Sequence, residues 1–268
     1  MTNIYMIRHA EAEGNLYRRL QGHYDSLVTD LGHRQIEALR ARFKDTQIDA
    51  VYSSDLVRTQ LTARALSVPR NLPIHTNERL REVYVGDWED RPWGALERLE
   101  AKQLAYFSLN PARWDIGNNE SLEALTQRMV SIVTEIAAQH KGQTVAVFTH
   151  GTVIRALLLH IQGIPSERIA EVPYCDNTGV SLLEVDGRDM RIVFMNNADH
   201  LGEELSTFAR QGWWRKKTLY ERENLDFLPL DLTRDEAKYL AWRQHAHKTP
   251  EDCLHIWHTP KRPLPRIH

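Results

Sequence analysis

Four mostly apolar residues, Ile4-Tyr5-Met6-Ile7, run directly into Arg8-His9 near the start of this 268-residue chain. A short apolar run bounded by polar residues reads as a strand buried in a sheet. Such a strand delivers Arg8 and His9 to its carboxyl end, the side of an open α/β sheet where ligands bind. Arginine presents a rigid fork of donors matched to phosphate oxygens, and a neutral imidazole nitrogen can attack phosphorus. Taken singly, the pair also fits an ordinary solvated loop, so the rest of the chain has to decide.

The remainder alternates strand and helix signals. A polar, Gly-punctuated loop over residues 21–32 precedes a helix with Ile36, Leu39 and Phe43 on one face. A second strand, Asp49-Ala50-Val51-Tyr52, ends in Ser53-Ser54-Asp55, good N-cap residues for the helix that follows. That helix carries Leu56, Leu61, Ala65 and Leu66, and sets Arg58 in its first turn, where an anion would be favoured. Pro73-Ile74-His75-Thr76 is a third short strand, and Leu80-Arg81-Glu82 follows it. Residues of about 83–119 break the rhythm with Trp93, Trp114, Pro92 and Pro111. They predict a cap over the strand ends, with one helix near residues 96–107.

Leu122, Leu125, Met129, Ile132, Val133 and Ile136 mark an amphipathic helix. The strongest strand, Thr144-Val145-Ala146-Val147-Phe148, ends at Thr149-His150-Gly151 just before another apolar helix over residues 153–161. A second histidine therefore sits at a second strand end. Two β-rich runs, residues 180–185 and 190–195, flank the hairpin signal Asp186-Gly187. The alternation predicts an α/β fold with a mainly parallel sheet and an antiparallel edge.

A net charge of −2 favours neither nucleic acid nor an anionic membrane, and no apolar run approaches the ~18 residues of a membrane helix. Cys175 and Cys253 offer no disulfide framework, and the first residues lack a signal-peptide pattern; the expectation is a reduced, cytoplasmic protein. Beyond about residue 201 the character changes. Four of the seven tryptophans (Trp213, Trp214, Trp242 and Trp257) lie there, and 12 Lys/Arg against 8 Asp/Glu in residues 205–268 leave that stretch at +4. Thr233-Arg234-Asp235-Glu236 is a capping box opening a helix to about residue 245, and residues 259–265 read as extended. Cys253, His255 and His258 have loosely metal-like spacing, but a packed or solvated appendage explains them more simply. A Trp-rich extension suits packing on the core or a homodimer contact.

Arg8, His9, Arg58, Glu82 and His150 form a coherent set. With them stand Arg8-His9-Ala10-Glu11, the Gln21-Gly22 loop with Asp25, Thr29 and Gly32, Ser53-Ser54-Asp55-Leu56-Val57-Arg58-Thr59, Leu80-Arg81-Glu82, Gly86-Asp87-Trp88-Glu89, Glu120-Ser121-Leu122 and Thr149-His150-Gly151. In these pieces and their order, residues 1–201 resemble the histidine phosphatase superfamily, the phosphoglycerate mutase-like group. The resemblance implies a three-layer α/β/α catalytic domain over residues 1–201, with residues 202–268 as a partly helical extension without counterpart. It implies His9 as nucleophile forming a phosphohistidine, Arg8, Arg58 and His150 holding the phosphoryl group, and Glu82 as proton donor. Asn15, Gln21, Gly22, Thr149 and Gly151 would touch substrate or phosphate. Three departures stand out. Ala12 occupies a position where the family usually has a hydroxyl residue, Ala10 replaces a usual Gly, and Leu27-Val28 stands where Pro-Leu is common.

The chemistry agrees with those roles. A phosphoryl transition state spreads negative charge over its oxygens, so positioning and cationic stabilisation carry most of the catalysis. Two arginines and a histidine can supply that without a cofactor or metal, and an alkoxide leaving group calls for an acid such as Glu82. Family mutases usually carry a Trp-Asn pair soon after the Arg-His run and a longer insertion after the catalytic Glu. Here the equivalent run is Ala12-Glu13-Gly14-Asn15, which favours a phosphatase of a small phosphorylated metabolite over a mutase or a binding-only protein. Nothing in the sequence selects among sugar phosphates, nucleotides, cofactor precursors and phosphoglycerates.

Overall fold

The computed structural model describes residues 1–211. The strands are β1 (Thr2–Arg8), β2 (Ala50–Ser53), β3 (Ile74–Thr76), β4 (Thr144–Thr149), β5 (Val180–Asp186) and β6 (Asp189–Asn197). They form one sheet in the order β3-β2-β4-β1-β5-β6. β1, β2, β3 and β4 run parallel, while β5 pairs antiparallel with β1 and β6 with β5. The mainly parallel sheet with an antiparallel edge is therefore as expected, and the edge is the hairpin at Asp186-Gly187.

Nine helices accompany the sheet among the described residues: α1 (Glu13–Leu16), α2 (Asp30–Arg42), α3 (Val57–Arg70), α4 (Trp93–Leu99), α5 (Ala101–Leu109), α6 (Leu122–Gln139), α7 (Gly151–Ile161), α8 (Gly202–Leu205) and α9 (Thr207–Arg210). Side chains alternate across a strand, so a sheet covered on both faces needs apolar residues at every position. The middle residues of β1 and β4 meet that demand. Ile4, Met6, Val145 and Val147 enter one core with α6 and α7. Ile7, Ala146 and Phe148 enter the other with α2 and α3. At about 1.5–3 kcal/mol per fully buried large apolar side chain, these two cores hold the central strands rigid, and with them the loops at their ends. None of the described helices is long and apolar enough to cross a membrane.

Two local expectations are corrected. The helix near residues 96–107 is two helices, α4 and α5, broken at Glu100. Its carboxylate accepts the Trp88 indole N–H at 2.6 Å and pairs with Arg91, so the break serves a buried tryptophan. Trp88 packs on Trp114 and Phe107 at ring separations of 5.6 and 6.2 Å, forming the core of the cap. The start of α3 is not capped by a side chain of its N-cap residue, Leu56. Its first N–H, on Val57, is instead bound at 2.8 Å by Asp25 Oδ1 from the loop between α1 and α2.

Residues 202–211 pack against α2 and the segments bearing Glu11 and Asp176. Gln35 Nε2 donates to the Leu205 carbonyl and to Thr207 Oγ1, Thr207 donates to the buried Glu11 carboxylate, and Ser206 donates to Asp176. The capping box at Thr233, the extended end over residues 259–265, the cluster of Cys253, His255 and His258, and the tryptophans of the extension lie outside the described residues.

Candidate active site

Parallel pairing of β1 with β4 puts Arg8 opposite Thr149, so His9 and His150 leave neighbouring strands side by side. Their rings lie 5.2 Å apart. The His9 backbone is fixed on both sides: its N–H donates to the Thr149 carbonyl at 2.9 Å, and its carbonyl accepts from Asn177 Nδ2 at 3.0 Å. The ring is oriented too. Nδ1 lies 2.7 Å from the Ala10 carbonyl, which can only accept, so Nδ1 carries the proton and Nε2 keeps its lone pair.

Arg58, in the first turn of α3, is fully buried. Its Nη1 donates to the Tyr24 carbonyl at 2.7 Å and its Nη2 to the Gly22 carbonyl at 2.8 Å. The turn that offers those carbonyls is itself organised by Glu89, whose carboxylate accepts from the N–H groups of His23 and Tyr24 at 2.9 and 2.6 Å. Gly22 has φ +46°, and a Cβ there would collide with that carboxylate, so this turn needs glycine. Arg8 Nη1 donates to the Cys175 carbonyl at 2.6 Å, and a Cβ added at Gly151 would lie 3.3 Å from Arg8 Nε. Helix α7 therefore begins directly against this guanidinium.

Three buried donors grouped around His9 have no protein partner: Arg8 Nε, Arg58 Nε and His150 Nδ1. His150 Nε2 lies 3.1 Å from Ser54 Oγ; with Ser54 donating, Nδ1 is left as an N–H donor. Buried polar groups without partners are costly, and a buried cation held only by carbonyls more so. Grouped around one imidazole, these three offer hydrogen-bond donors suited to an anion.

Burial, then Arg58 and Arg8, hold the His9 ring well below its usual pKa of 6.5. Burial, then Arg58 and His9, do the same for His150. Both rings are neutral in the folded protein at pH 7. In the unfolded chain both take up protons near pH 6.5, so below that pH the unfolded state binds more protons. Stability then falls as the pH is lowered, by up to about 1.4 kcal/mol per pH unit for each ring, until the folded pKa is reached. Glu11 and Asp25, whose carboxyl pKa values burial raises, act in the opposite sense in the carboxylate range. Urea midpoints measured from about pH 7.5 down to 5 are expected to decline; midpoints flat across that window would show that the rings are not held neutral.

Glu82 lies beside this group, where the segment after β3 meets the start of α7. Its Oε1 accepts from the N–H groups of Val83 and Val153 at 2.9 and 3.2 Å, and its Oε2 from Thr152 at 3.1 Å. Arg8, His9, Arg58, Glu82 and Gly151 line one cleft that is open to solvent.

Comparison with known proteins agrees with this geometry. The family model described as "Histidine phosphatase superfamily (branch 1)" matches residues 4–198. The chain belongs to the histidine phosphatase superfamily. Phosphoglycerate mutase-like protein 4 of Arabidopsis thaliana is 32% identical over 219 residues, covering 80% of this chain and 93% of that protein. Putative phosphoserine phosphatase 2 of Hydrogenobacter thermophilus is 29% identical over 201 residues, 75% of this chain and 98% of that protein. Among solved structures, Bacillus stearothermophilus YhfR superposes with a TM-score of 0.72 at 30% identity, covering 75% of this chain and all of that one. A mycobacterial glucosyl-3-phosphoglycerate phosphatase gives 0.67 at 25% identity, over 73% and 99%.

In this histidine phosphatase the other expected contacts divide. Asn15, Gln21 and Gly22 line the cleft. Asn15 Oδ1 accepts from the Ala12 N–H at 3.1 Å, and Gln21 Oε1 accepts from Ser26. Their amide nitrogens are the ends available to a ligand. Thr149 is corrected: like His150 it is fully buried and outside the cleft lining, but its hydroxyl proton is committed to the Leu80 carbonyl at 2.7 Å. Its role is to tie β4 to the segment bearing Glu82. Ala12 is also fully buried and caps α1 without a side-chain hydrogen bond, so the missing hydroxyl is a loss to that turn. Glu89, Asn177, Arg19 and Tyr174 escaped the sequence reading. Glu89 stood inside a quoted motif without a role, and the others carry no local pattern. Among the described residues no group of three or more His, Cys, Asp or Glu is placed to hold a metal ion.

Proposed function

We propose that this phosphatase hydrolyses small phosphomonoesters through a phosphohistidine on His9, with no metal in the reaction. The observation that carries the reading is the trio of unpartnered buried donors, Arg8 Nε, Arg58 Nε and His150 Nδ1, around an imidazole whose Nε2 is free. A phosphoryl group supplies the missing acceptors, and its charge is what these donors stabilise in the transition state. Nε2 attacks phosphorus as the ester P–O bond breaks, and protonated Glu82 gives its proton to the departing oxygen. Water then attacks the phosphohistidine with Glu82 as base, releasing inorganic phosphate and restoring both groups.

The same cleft bears on the leaving group. Besides the residues named above, its lining includes Leu20, Val83, Val85, Trp93, Phe107 and Tyr174. A further lining cation, Arg19, is paired with Asp90 at 2.8 Å. Such a wall suits an alcohol with a flat apolar face better than one bearing a carboxylate. Burying about 100 Å² of ring surface is worth roughly 2.5 kcal/mol. In EDTA, kcat/KM for benzyl phosphate is expected to exceed that for phosphoserine by about 10-fold or more, with Phe107→Ala removing most of the difference. Preference for phosphoserine would overturn the leaving-group reading. Activity lost to EDTA and restored by a divalent ion would overturn the metal-free mechanism. Isomerisation of a phosphoglycerate without phosphate release would make the chain a mutase.

A further inference from the structure

We infer that Arg128, on α6, is the positioning residue that sets Glu82 for proton transfer. This rests on the reading of Glu82 as the acid. Arg128 Nη1 donates to the carbonyls of Arg79 and Arg81 at 2.7 and 2.9 Å, and Nη2 reaches the Glu82 carbonyl at 3.3 Å. One guanidinium thus holds three carbonyls of the segment that ends in the acid. Glu120 holds the guanidinium in turn, through Nε at 2.8 Å and Nη2 at 2.7 Å. Glu120 also grips the other side of the acid: its N–H donates to the Tyr84 carbonyl at 2.9 Å, and Oε2 accepts from the Tyr84 N–H at 3.2 Å. The Glu82 carbonyl receives one more donor, His23 Nε2, at 2.9 Å.

The segment needs such a clamp because it has little other regular structure. It consists of a three-residue 3-10 turn, Glu78–Leu80, followed by extended backbone at Arg81. The side chains of Arg128, in α6, and of Glu120, just before its N-cap residue Ser121, are both more than three-quarters buried. A buried bidentate pair fixes direction as well as distance, and displacing a catalytic group by about 1 Å can cost 10²-fold. Arg128 does not itself line the cleft; its hydrogen bonds reach the lining at Glu82, the route by which it positions the acid.

The test compares two esters that place unequal demands on the acid. p-Nitrophenolate leaves without help, whereas the benzyl alkoxide needs a proton. Arg128→Met and Arg128→Lys are measured by kcat/KM, which reports transfer to His9 and not hydrolysis of the phosphoenzyme. Arg128→Met is expected to lose about 10²-fold on benzyl phosphate and less than about 5-fold on p-nitrophenyl phosphate, with inhibition by inorganic phosphate unchanged. Lysine keeps the charge without the fork, so Arg128→Lys is expected to recover only part of the loss. Where Arg128→Met fails to fold, Glu120→Gln weakens the same clamp and should show the same ester dependence. Equal losses on both esters, or no loss on either, overturn the inference. Glu82→Gln run alongside separates the two ideas: absence of ester dependence in that variant removes the acid assignment itself.

Discussion

His9→Ala is expected to lower kcat for p-nitrophenyl phosphate by about 10⁴-fold or more and to leave the fold in place. The ring's own bond is the one from Nδ1 to the Ala10 carbonyl, worth about 1 kcal/mol, and its neutral state means that no ion pair is lost. The chemistry has no substitute. Nε2 is the free imidazole nitrogen beside the three unpartnered donors, and water in its place would lack both the fixed position and the nucleophilicity. Arg8, Arg58 and His150 remain in the variant, so inorganic phosphate should inhibit residual turnover or bind within a few-fold of the wild type. Steady-state kinetics with a phosphate titration followed by calorimetry checks both parts. Retained turnover would mean that another group attacks phosphorus.

Arg58→Lys should lower kcat/KM by about 10³-fold and also lower the melting temperature, which sets it apart from His9→Ala. Arg58 binds two carbonyls of the 21–25 turn while leaving Nε for the ligand. A lysine ammonium cannot hold two carbonyls and an anion in the same plane, and the Gly22 or Tyr24 carbonyl loses its partner. An unpaired buried acceptor costs about 1–3 kcal/mol. Arg58→Ala removes a fully buried side chain as well and is expected to cost about 3 kcal/mol or more. Burial depresses the Arg58 pKa and the charges of Asp25, Glu82 and Glu89 oppose that, so its stability depends on acidic neighbours it does not touch. Thermal melts and p-nitrophenyl phosphate kinetics on the two variants test this. An Arg58→Lys protein with wild-type rates would show that the guanidinium fork is not used.

What the sequence made legible were features carried by local pattern. The apolar runs ending in Arg8-His9 and Thr149-His150 are continuous in sequence, and parallel pairing then brings those ends together. Arg58 was legible in the first turn of the helix after the second strand, whereas Glu82 was singled out by the family motif Leu80-Arg81-Glu82. What stayed hidden depends on bonds from a side chain to a distant carbonyl, which leave no periodicity and no spacing. Arg128 reaches residues 79–82 from almost 50 positions away, and Glu89 organises a turn more than 60 residues earlier. The cap of α3 misled for the same reason: local Ser53-Ser54-Asp55 had the right chemistry, but Asp25 arrives through the fold and takes the first N–H. Thr149 misled because a hydroxyl next to a candidate site histidine looks like a ligand until its partner, the Leu80 carbonyl, is seen.

The most direct measurement is to quench turnover of p-nitrophenyl phosphate in alkali and map the phosphoryl group on the protein by mass spectrometry. The expected result is one phosphoryl group on the peptide containing His9, stable in alkali, lost in acid and absent from His9→Ala. Turnover with no phosphoryl group at His9, or with the group on another residue, would contradict a phosphohistidine mechanism at this site.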